Sequence, residues 1–225
     1  YRLECFPRPL AGADVKQRSA AGVAVLHDCV AGEPETQIII GNKIVAKRLF
    51  LPTFARINGQ NQILVLTRSD LNGINPEDGK ALWKMPFKAF RGMNILTPLP
   101  FKGGIYTSAY GGGSSFIEVG NKQSEWLATL KWKNKSQGYI AQSGTNNGKA
   151  YLHLRSNRFG FFDLETGKEE WISSKSFGKY MSLVINGDKI LALDQKGILY
   201  LIRPIPKNSI SCLNDAYLKA SHGLM

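Results

Sequence analysis

Cysteine and histidine are both scarce in this sequence, with three of each in 225 residues. The cysteines, Cys5, Cys29 and Cys212, are far apart and odd in number, so their spacing leaves the disulfide state open. So few potential ligands, scattered along the chain, exclude a zinc site. Long hydrophobic runs are missing as well. No stretch of 18 apolar residues is free of charge, which excludes a transmembrane helix within these residues.

Acidic residues are also few, 17 against 29 Lys and Arg, which gives a formal net charge of +12. The densest basic stretch is Lys131, Lys133 and Lys135, whose alternation places them on one face of a strand with Trp132 on the other. We interpret these lysines as the solvated face of an outer strand, where charge blocks unwanted strand pairing. An anionic partner is the alternative. No run of five basic residues occurs, so we expect no nucleic acid, and peripheral membrane attachment of a longer protein stays open.

Sustained helical periodicity is the third absence, and residues 10–31 and 209–221 are the only weak helix candidates. The chain begins at Tyr1 and shows no charged start followed by an apolar stretch and a small-residue cleavage site. Either a leader has been removed or the chain is a piece of a longer protein.

Internal repetition is the most informative feature that is present. Gln62–Lys84 matches Ala150–Ile172 in pattern after a shift of 88 residues. The aligned pairs are Asn75 with Asp163, Glu77 with Glu165, Gly79 with Gly167, Lys80 with Lys168, and Trp83 with Trp171. A third copy between them ends at Trp132, so successive tryptophans are 49 and 39 residues apart. A period of roughly 44 residues is the size of a four-stranded propeller blade.

Alternating apolar residues and turn signals divide each unit into short strands. The predicted strands are 50–57, 62–66, 71–75 and 80–84; 94–101, 105–110, 115–119 and 126–132; 139–144, 149–155, 159–163 and 168–172; and 180–185, 189–193 and 198–202. Thr36–Arg48 adds one hairpin, with Gly41-Asn42 at its turn. The pattern predicts an all-β propeller of four-stranded antiparallel blades over residues 36–206. Residues 1–35 and 207–225 are atypical ends without an assignment.

The repeated motif has a physical basis. Asn75 or Asp163 accepts hydrogen bonds from the following backbone and opens a turn. Gly79 or Gly167, four residues later, accepts a positive φ that other residues resist. The Trp that follows begins the outer strand and presents a large apolar face. The copy at Trp132 has lost both the Asp and the Gly.

These residues resemble the tryptophan-docking repeat of the pyrroloquinoline-quinone-like (PQQ-like) β-propellers over about residues 50–203. The resemblance implies that each Trp packs against the adjacent blade and ties the ring together. The implied structural docking residues are Trp83, Trp132, Trp171, Gly79, Gly167, Asn75 and Asp163. Blades of that family close into rings of seven or eight, so about four blades predict a partial ring. The resemblance also implies an extracytoplasmic location, periplasmic or secreted, and relatives that act in outer-membrane protein assembly.

Quinoprotein dehydrogenases of the same superfamily hold their cofactor with an adjacent Cys pair, a stacking Trp and a calcium ion. No two cysteines are adjacent here, and all three lie outside the predicted blades. We therefore expect no cofactor, no metal and no catalytic residue. The leading hypothesis is a non-catalytic scaffold that binds a protein, peptide or glycan. The alternative is an enzyme that uses the central channel, either a quinone-dependent dehydrogenase or a carbohydrate-active enzyme.

A candidate partner-binding face follows from blade connectivity. Loops between second and third strands share one face of a propeller with the connections between blades. The predicted face residues are Arg91, Asn94, Tyr110, Arg155, Arg158, Lys179 and Tyr180. Basic and aromatic groups at a channel mouth suit an acidic peptide or an acidic sugar. The alternative is that these are ordinary solvated loop residues. The run Gly111-Gly112-Gly113 is interpreted as a hairpin loop rather than a phosphate cradle, because a strand follows it.

Overall fold

The computed structural model describes residues 23–30, 33–40, 43–47, 52–94, 96–123, 125–138, 143–187, 189–203 and 209–212. Almost every regular element in this part of the chain is a β-strand. The exception is a short 3-10 turn at Phe90–Gly92. The strands form one three-stranded and four four-stranded sheets, and every strand pair is antiparallel.

The strands follow one another in chain order within each sheet. The three-stranded sheet contains β1 (Val23–Val30), β2 (Glu33–Ile40) and β3 (Lys43–Lys47). Blade 1 contains β4 (Thr53–Ile57), β5 (Gln60–Leu66), β6 (Asp70–Ile74) and β7 (Ala81–Pro86). Blade 2 contains β8 (Leu99–Phe101), β9 (Gly104–Ala109), β10 (Gly113–Lys122) and β11 (Glu125–Asn134). Blade 3 contains β12 (Gly144–Asn146), β13 (Lys149–His153), β14 (Arg158–Asp163) and β15 (Glu169–Ser176). Blade 4 contains β16 (Met181–Asn186), β17 (Lys189–Asp194), β18 (Leu199–Arg203) and β19 (Ser209–Cys212).

This architecture is a β-propeller of four-stranded antiparallel blades, and it confirms the predicted fold class. The predicted hairpin at 36–48 corresponds to β2 and β3, while its turn at 41–42 lies outside the described residues. The hairpin loop predicted at Gly111–Gly113 corresponds to residues 110–112 between β9 and β10, and Gly113 begins β10.

Two weak expectations at the ends of the pattern are wrong. Val23–Val30 is a strand rather than part of a helix, and all its residues pair with β2. Ser209–Cys212 is also a strand, and it completes blade 4 by pairing with β18, where Ile210 lies opposite Ile202. Cys212 therefore lies in a blade, although it was expected outside the blades, while Cys29 lies on β1 of the three-stranded sheet.

Apolar side chains fill the spaces between successive blades. Blades 1 and 2 share one cluster that includes Leu64, Leu71 and Trp83 from blade 1 and Ile105 and Ile117 from blade 2. Smaller clusters connect blade 2 to blade 3, and another connects blade 3 to blade 4. Full burial of one such side chain contributes about 1.5–3 kcal/mol. Packing between blades is therefore a large part of what stabilises the sheets.

Strand alternation sorts the loops onto two faces. Because successive strands run in opposite directions, each second-to-third-strand loop lies at the same end as the connection to the next blade. We call this end the connection face; its described residues are 67–69, 87–94, 96–98, 110–112, 135–138, 143, 154–157, 177–180 and 195–198. We call the other end the turn face; its described residues are 58–59, 75–80, 102–103, 123, 147–148, 164–168 and 187.

Candidate functional site

The turn face contains the best-formed tryptophan contact, between blades 2 and 3. The Trp132 indole covers Gly167, where a Cβ atom would lie 2.5 Å from Trp132 Cδ2. Trp132 Nε1 donates to the carbonyl oxygen of Leu164 at 2.8 Å. Gly167 also has a φ of +71°, which favours glycine for a second reason. Trp132 itself is half-buried, so its outer edge stays in contact with solvent.

Asp163 holds the turn on which Trp132 rests. Its Oδ1 accepts hydrogen bonds from the backbone N–H groups of Glu165 and Thr166 at 3.0 and 2.8 Å. Its Oδ2 lies 2.9 Å from Lys149 Nζ, which also contacts Glu170. The Lys149 hydrogen bond is the main reason that the pKa of Asp163 falls to about 2. Asn75 closes the equivalent turn in blade 1, where its Oδ1 accepts the Glu77 N–H at 3.1 Å.

The other two predicted docking tryptophans have different surroundings. Trp83 is buried, covers Gly73 of its own blade, and donates from Nε1 to Gln62 Oε1 at 2.8 Å. Blade 2 has no Asp–Gly turn to accept the Trp83 N–H, which instead donates to Gln62 within blade 1. The Trp83 ring belongs to the cluster between blades 1 and 2. Trp171 is half-buried and packs against the cluster between blades 3 and 4.

The two faces differ in charge. The described connection-face residues include seven basic and no acidic side chains: Arg68, Lys88, Arg91, Lys135, Arg155, Lys179 and Lys196. Three carboxylates border this face from adjoining strands: Asp70 accepts from Ser69, Glu169 from Ser136 and Asp194 from the Lys196 N–H. Those of the turn face include three of each sign: Lys80, Lys102, Lys168, Glu77, Asp78 and Glu165. Turn-face charges also pair, as Lys102 does with Glu165 at 2.6 Å. Among described residues, no ion pair involves Arg91, Lys135 or Arg155.

On the connection face, three of the predicted residues, Arg91, Tyr110 and Arg155, lie in one row together with Phe90, which was not predicted. The Arg91 guanidinium carbon lies 5.2 Å from the centre of the Phe90 ring. Phe90 meets Tyr110 edge to face at 5.5 Å between ring centres. The Arg155 guanidinium carbon lies 4.6 Å from the centre of the Tyr110 ring. We call Arg91, Phe90, Tyr110 and Arg155 the cation–aromatic row. Each cation–aromatic contact is worth about 0.5–1 kcal/mol at an exposed site, and it orients the guanidinium.

Backbone contacts fix this row. Phe90 N–H donates to the Tyr110 carbonyl oxygen at 2.7 Å. Phe90 can approach so closely because Gly111 has no side chain: a Cβ atom there would lie 2.7 Å from Phe90 Cβ. Gly111 N–H donates to Gln137 Oε1 at 3.0 Å, and the Gln137 carbonyl oxygen accepts the Arg155 N–H at 2.8 Å. The Gly111 amide is therefore engaged within the protein rather than directed at a phosphate.

The remaining predicted face residues are less closely associated. Asn94 lies in the connection face, where it was predicted, but it is only 1% exposed and so is not available to a partner. Its Nδ2 donates to the carbonyl oxygens of Thr67, Arg68 and Phe87, so it holds the loop in place. The other three predicted residues, Arg158, Lys179 and Tyr180, are exposed and lie nearer blade 4. Arg158 is the first residue of β14, and Lys179 Nζ lies 5.4 Å from the centre of the Tyr180 ring.

A depression of about 410 Å³ adjoins the row between blades 2 and 3. The apolar side chains in its lining are Leu154 and Ile172, while Lys135 and Arg155 supply positive charge. Gln137, whose contacts with Gly111 and Arg155 are described above, forms part of the wall. Arg155 thus belongs both to the depression and to the cation–aromatic row.

The sequence pattern missed Phe90 and Gln137. The signal in the sequence was an aromatic residue next to a cation, Phe90 beside Arg91, in a connection between blades. In the structure Phe90 is 50% exposed. Gln137 carries no such signal, because its role depends on contacts with two other loops.

A quinone–calcium site does not fit the residues present. The three cysteines are not adjacent in the sequence. The described part of the chain contains no group of three or more His, Cys, Asp or Glu side chains that could hold a metal ion. Trp126, the tryptophan outside the repeated docking position, packs against the cluster between blades 1 and 2.

His153 is fully buried on β13 and does not reach the connection-face surface. Burial lowers its pKa to about 4, and the nearby Gly178 backbone opposes part of that shift. Its imidazole is therefore neutral at neutral pH. Over the described residues, the structure contains no helix with the length and apolar character needed to cross a membrane.

Successive four-stranded antiparallel blades, two of which are joined by the Trp132 indole on the Asp–Gly turn of the next blade, define a β-propeller of PQQ-like repeats. The chain belongs to the family described as "Outer membrane protein assembly factor BamB", whose family model matches residues 45–173. A search of the curated proteins finds no match.

A solved structure supports the fold. The crystal structure of BamB from Moraxella catarrhalis matches with a TM-score of 0.54 and 15% identity, over 84% of this chain and 60% of that chain. This chain therefore spans 60% of the length of the BamB chain that it matches. The computationally designed Ika4 protein matches with a TM-score of 0.48 and 9% identity, over 70% of this chain and 98% of that chain.

Proposed function

We propose that this chain is a non-catalytic, extracytoplasmic propeller scaffold that binds an acidic segment of a protein partner on its connection face. The observation that carries the proposal is the unequal charge of the two faces. Seven basic and no acidic side chains lie among the described connection-face residues, whereas the turn face is balanced. A protein surface with this pattern attracts anionic partners and disfavours basic ones.

Family membership supports the scaffold role. The description of the matching family names a factor in outer-membrane protein assembly, and assembly requires contact with other proteins. The same description supports a location outside the cytoplasm. The quinone-dependent alternative is not supported, because its ligand residues are missing from the sequence and the described site.

Arg91 and Arg155 are the expected centre of the contact. Both are exposed, and the Phe90 and Tyr110 rings orient their guanidinium groups. A guanidinium offers paired donors that match the two oxygens of a carboxylate. Two oriented guanidinium groups on one face suit a segment with more than one Asp or Glu.

The test uses the fluorescein-labelled peptide Asp-Glu-Leu-Glu-Asp and its amide counterpart Asn-Gln-Leu-Gln-Asn, with binding measured by fluorescence anisotropy. The acidic peptide should bind more tightly, and its affinity should fall as salt rises. The double variant Arg91→Ala, Arg155→Ala should weaken that binding roughly tenfold or more, because hydrogen bonds to charged groups are lost.

The matched control is the double variant Lys168→Ala, Lys189→Ala. It removes the same amount of charge from exposed residues, Lys168 on the turn face and Lys189 at the start of β17. This variant should bind almost as tightly as the unmodified chain. Equal losses in both double variants, or binding that does not depend on salt, would contradict the proposed face.

A further inference from the structure

We infer that the depression between blades 2 and 3 is an anchor site for one aliphatic side chain of the acidic segment. This inference rests on the proposed function and specifies the partner's sequence. The occupant is a Leu-like side chain next to an Asp or Glu, so recognition combines burial with charge.

The lining of the depression supports an apolar occupant. Leu154 is 5% exposed and belongs to the cluster with Leu96, Leu152 and Phe162, and the partly buried Ile172 packs against the same cluster. The volume of about 410 Å³ is ample for one aliphatic side chain together with adjoining backbone. Burying such a side chain contributes about 1.5–3 kcal/mol when it is complete, and less on an open surface.

The charges around the depression support a carboxylate beside that side chain. Lys135 and Arg155 both line it, and neither forms an ion pair within the described part of the chain. One carboxylate, Glu169, lies beside the lining, where it accepts from Ser136 Oγ at 3.4 Å. The Tyr110 ring holds the Arg155 guanidinium from one side, which reduces the freedom lost on binding. An Asp or Glu next to the inserted side chain would therefore meet an oriented cation.

The walls of the depression are fixed before any partner binds. Arg155 N–H donates to the Gln137 carbonyl oxygen, and the Gln137 side chain is held by Gly111 N–H. Gly138 and Leu154 form a bridge that joins the inter-blade connection to the end of β13. Because these contacts link two blades, the anchor site depends on their packing and not on a single loop.

The test compares Asp-Glu-Leu-Glu-Asp with Asp-Glu-Ser-Glu-Asp on the full chain. We expect the Leu peptide to bind roughly tenfold more tightly, the effect of partly burying one aliphatic side chain. Ser156→Trp should remove this difference, because Ser156 is an exposed residue at the depression and indole would fill it. Ser69→Trp is the matched control, since it places the same side chain in the equivalent loop of blade 1.

A second measurement covers the case in which Ser156→Trp does not fold. Methyl NMR of the unmodified chain should show shifts at Leu154 and Ile172 when the Leu peptide is added. Leu127, which is exposed on β11 away from the depression, should not shift. Shifts at Leu127 alone, with none at Leu154 or Ile172, would overturn the anchor site.

The outcomes separate the two proposals. If the Leu and Ser peptides bind equally, yet both are lost in the Arg91→Ala, Arg155→Ala variant, the anchor site is wrong and the acidic-partner face stands. If neither peptide binds, both proposals fail. If polygalacturonate displaces the Leu peptide and binds more tightly than it does, the occupant is an acidic sugar and the anchor site is also wrong.

Discussion

The contact between Trp132 and the Gly167 turn gives a direct test of how blades 2 and 3 are joined. Trp132→Ala removes the hydrogen bond from Nε1 to Leu164 and the stacked contact with Phe116, whose ring centre is 6.0 Å away. A net hydrogen bond is worth about 1 kcal/mol and an aromatic pair about 0.5–1.5 kcal/mol. The lost burial of a half-exposed indole adds to these, so we expect a loss of about 3 kcal/mol, the lower end for Trp→Ala.

The assay is equilibrium urea unfolding followed by far-UV circular dichroism, which does not depend on tryptophan fluorescence. Trp132→Phe should lose only about 1 kcal/mol, because it keeps a ring over Gly167 and removes the N–H donor. Leu127→Ala is the control on the same strand, and at 64% exposure its effect should stay within about 0.5 kcal/mol.

A double-mutant cycle isolates the contact itself. Gly167→Ala alone combines a positive φ with a clash against the indole, whereas in the Trp132→Ala background only the strain of the positive φ remains. Gly167→Ala should therefore cost less free energy of unfolding in that background. Strict additivity of the two substitutions, or a Trp132→Ala loss no larger than that of Leu127→Ala, would refute the docking argument.

Two further predictions concern titratable groups. Because burial lowers the pKa of His153 to about 4 from an ordinary 6.5, its neutral form is favoured in the folded state. His153 should not affect the free energy of unfolding above pH 6.5, whereas that free energy should fall as the pH drops from 6.5 to 4, by about 3 kcal/mol at most. Thermal melts of His153→Gln should show a smaller decline over the same range. An unchanged decline would exclude His153 as the cause. Asp163→Asn should destabilise the chain by about 1–2 kcal/mol at neutral pH, because the Lys149 ion pair is lost while turn acceptors remain. Since the pKa of Asp163 is lowered to about 2 from 3.8, the stabilisation is present above pH 3.8 and disappears as the pH falls towards 2. The urea midpoints of the unmodified chain and of Asp163→Asn should therefore converge near pH 2, and midpoints that stay apart would contradict this assignment.

The sequence by itself determined the fold class. Short-range patterns predict it, because alternation within a strand and an Asn or Asp four residues before a Gly act over fewer than ten residues. Asp163 closes its turn with Glu165 and Thr166, which are its neighbours in the chain. The recurrence of Trp83, Trp132 and Trp171 at steps of 49 and 39 residues then indicates blades of one kind.

Only the tertiary structure decided which loops meet. Asn94 looked like a surface residue, yet it is buried and donates to carbonyl groups of two other segments. Phe90 became the link between Arg91 and Tyr110 because Gly111 allows the loop to approach. Ser209–Cys212 shows the same effect in a strand, since four residues are too few for a clear alternation and the strand is recognised by its pairing with β18. Such contacts join residues distant in the chain, and their formation depends on how blades pack, which no local pattern encodes.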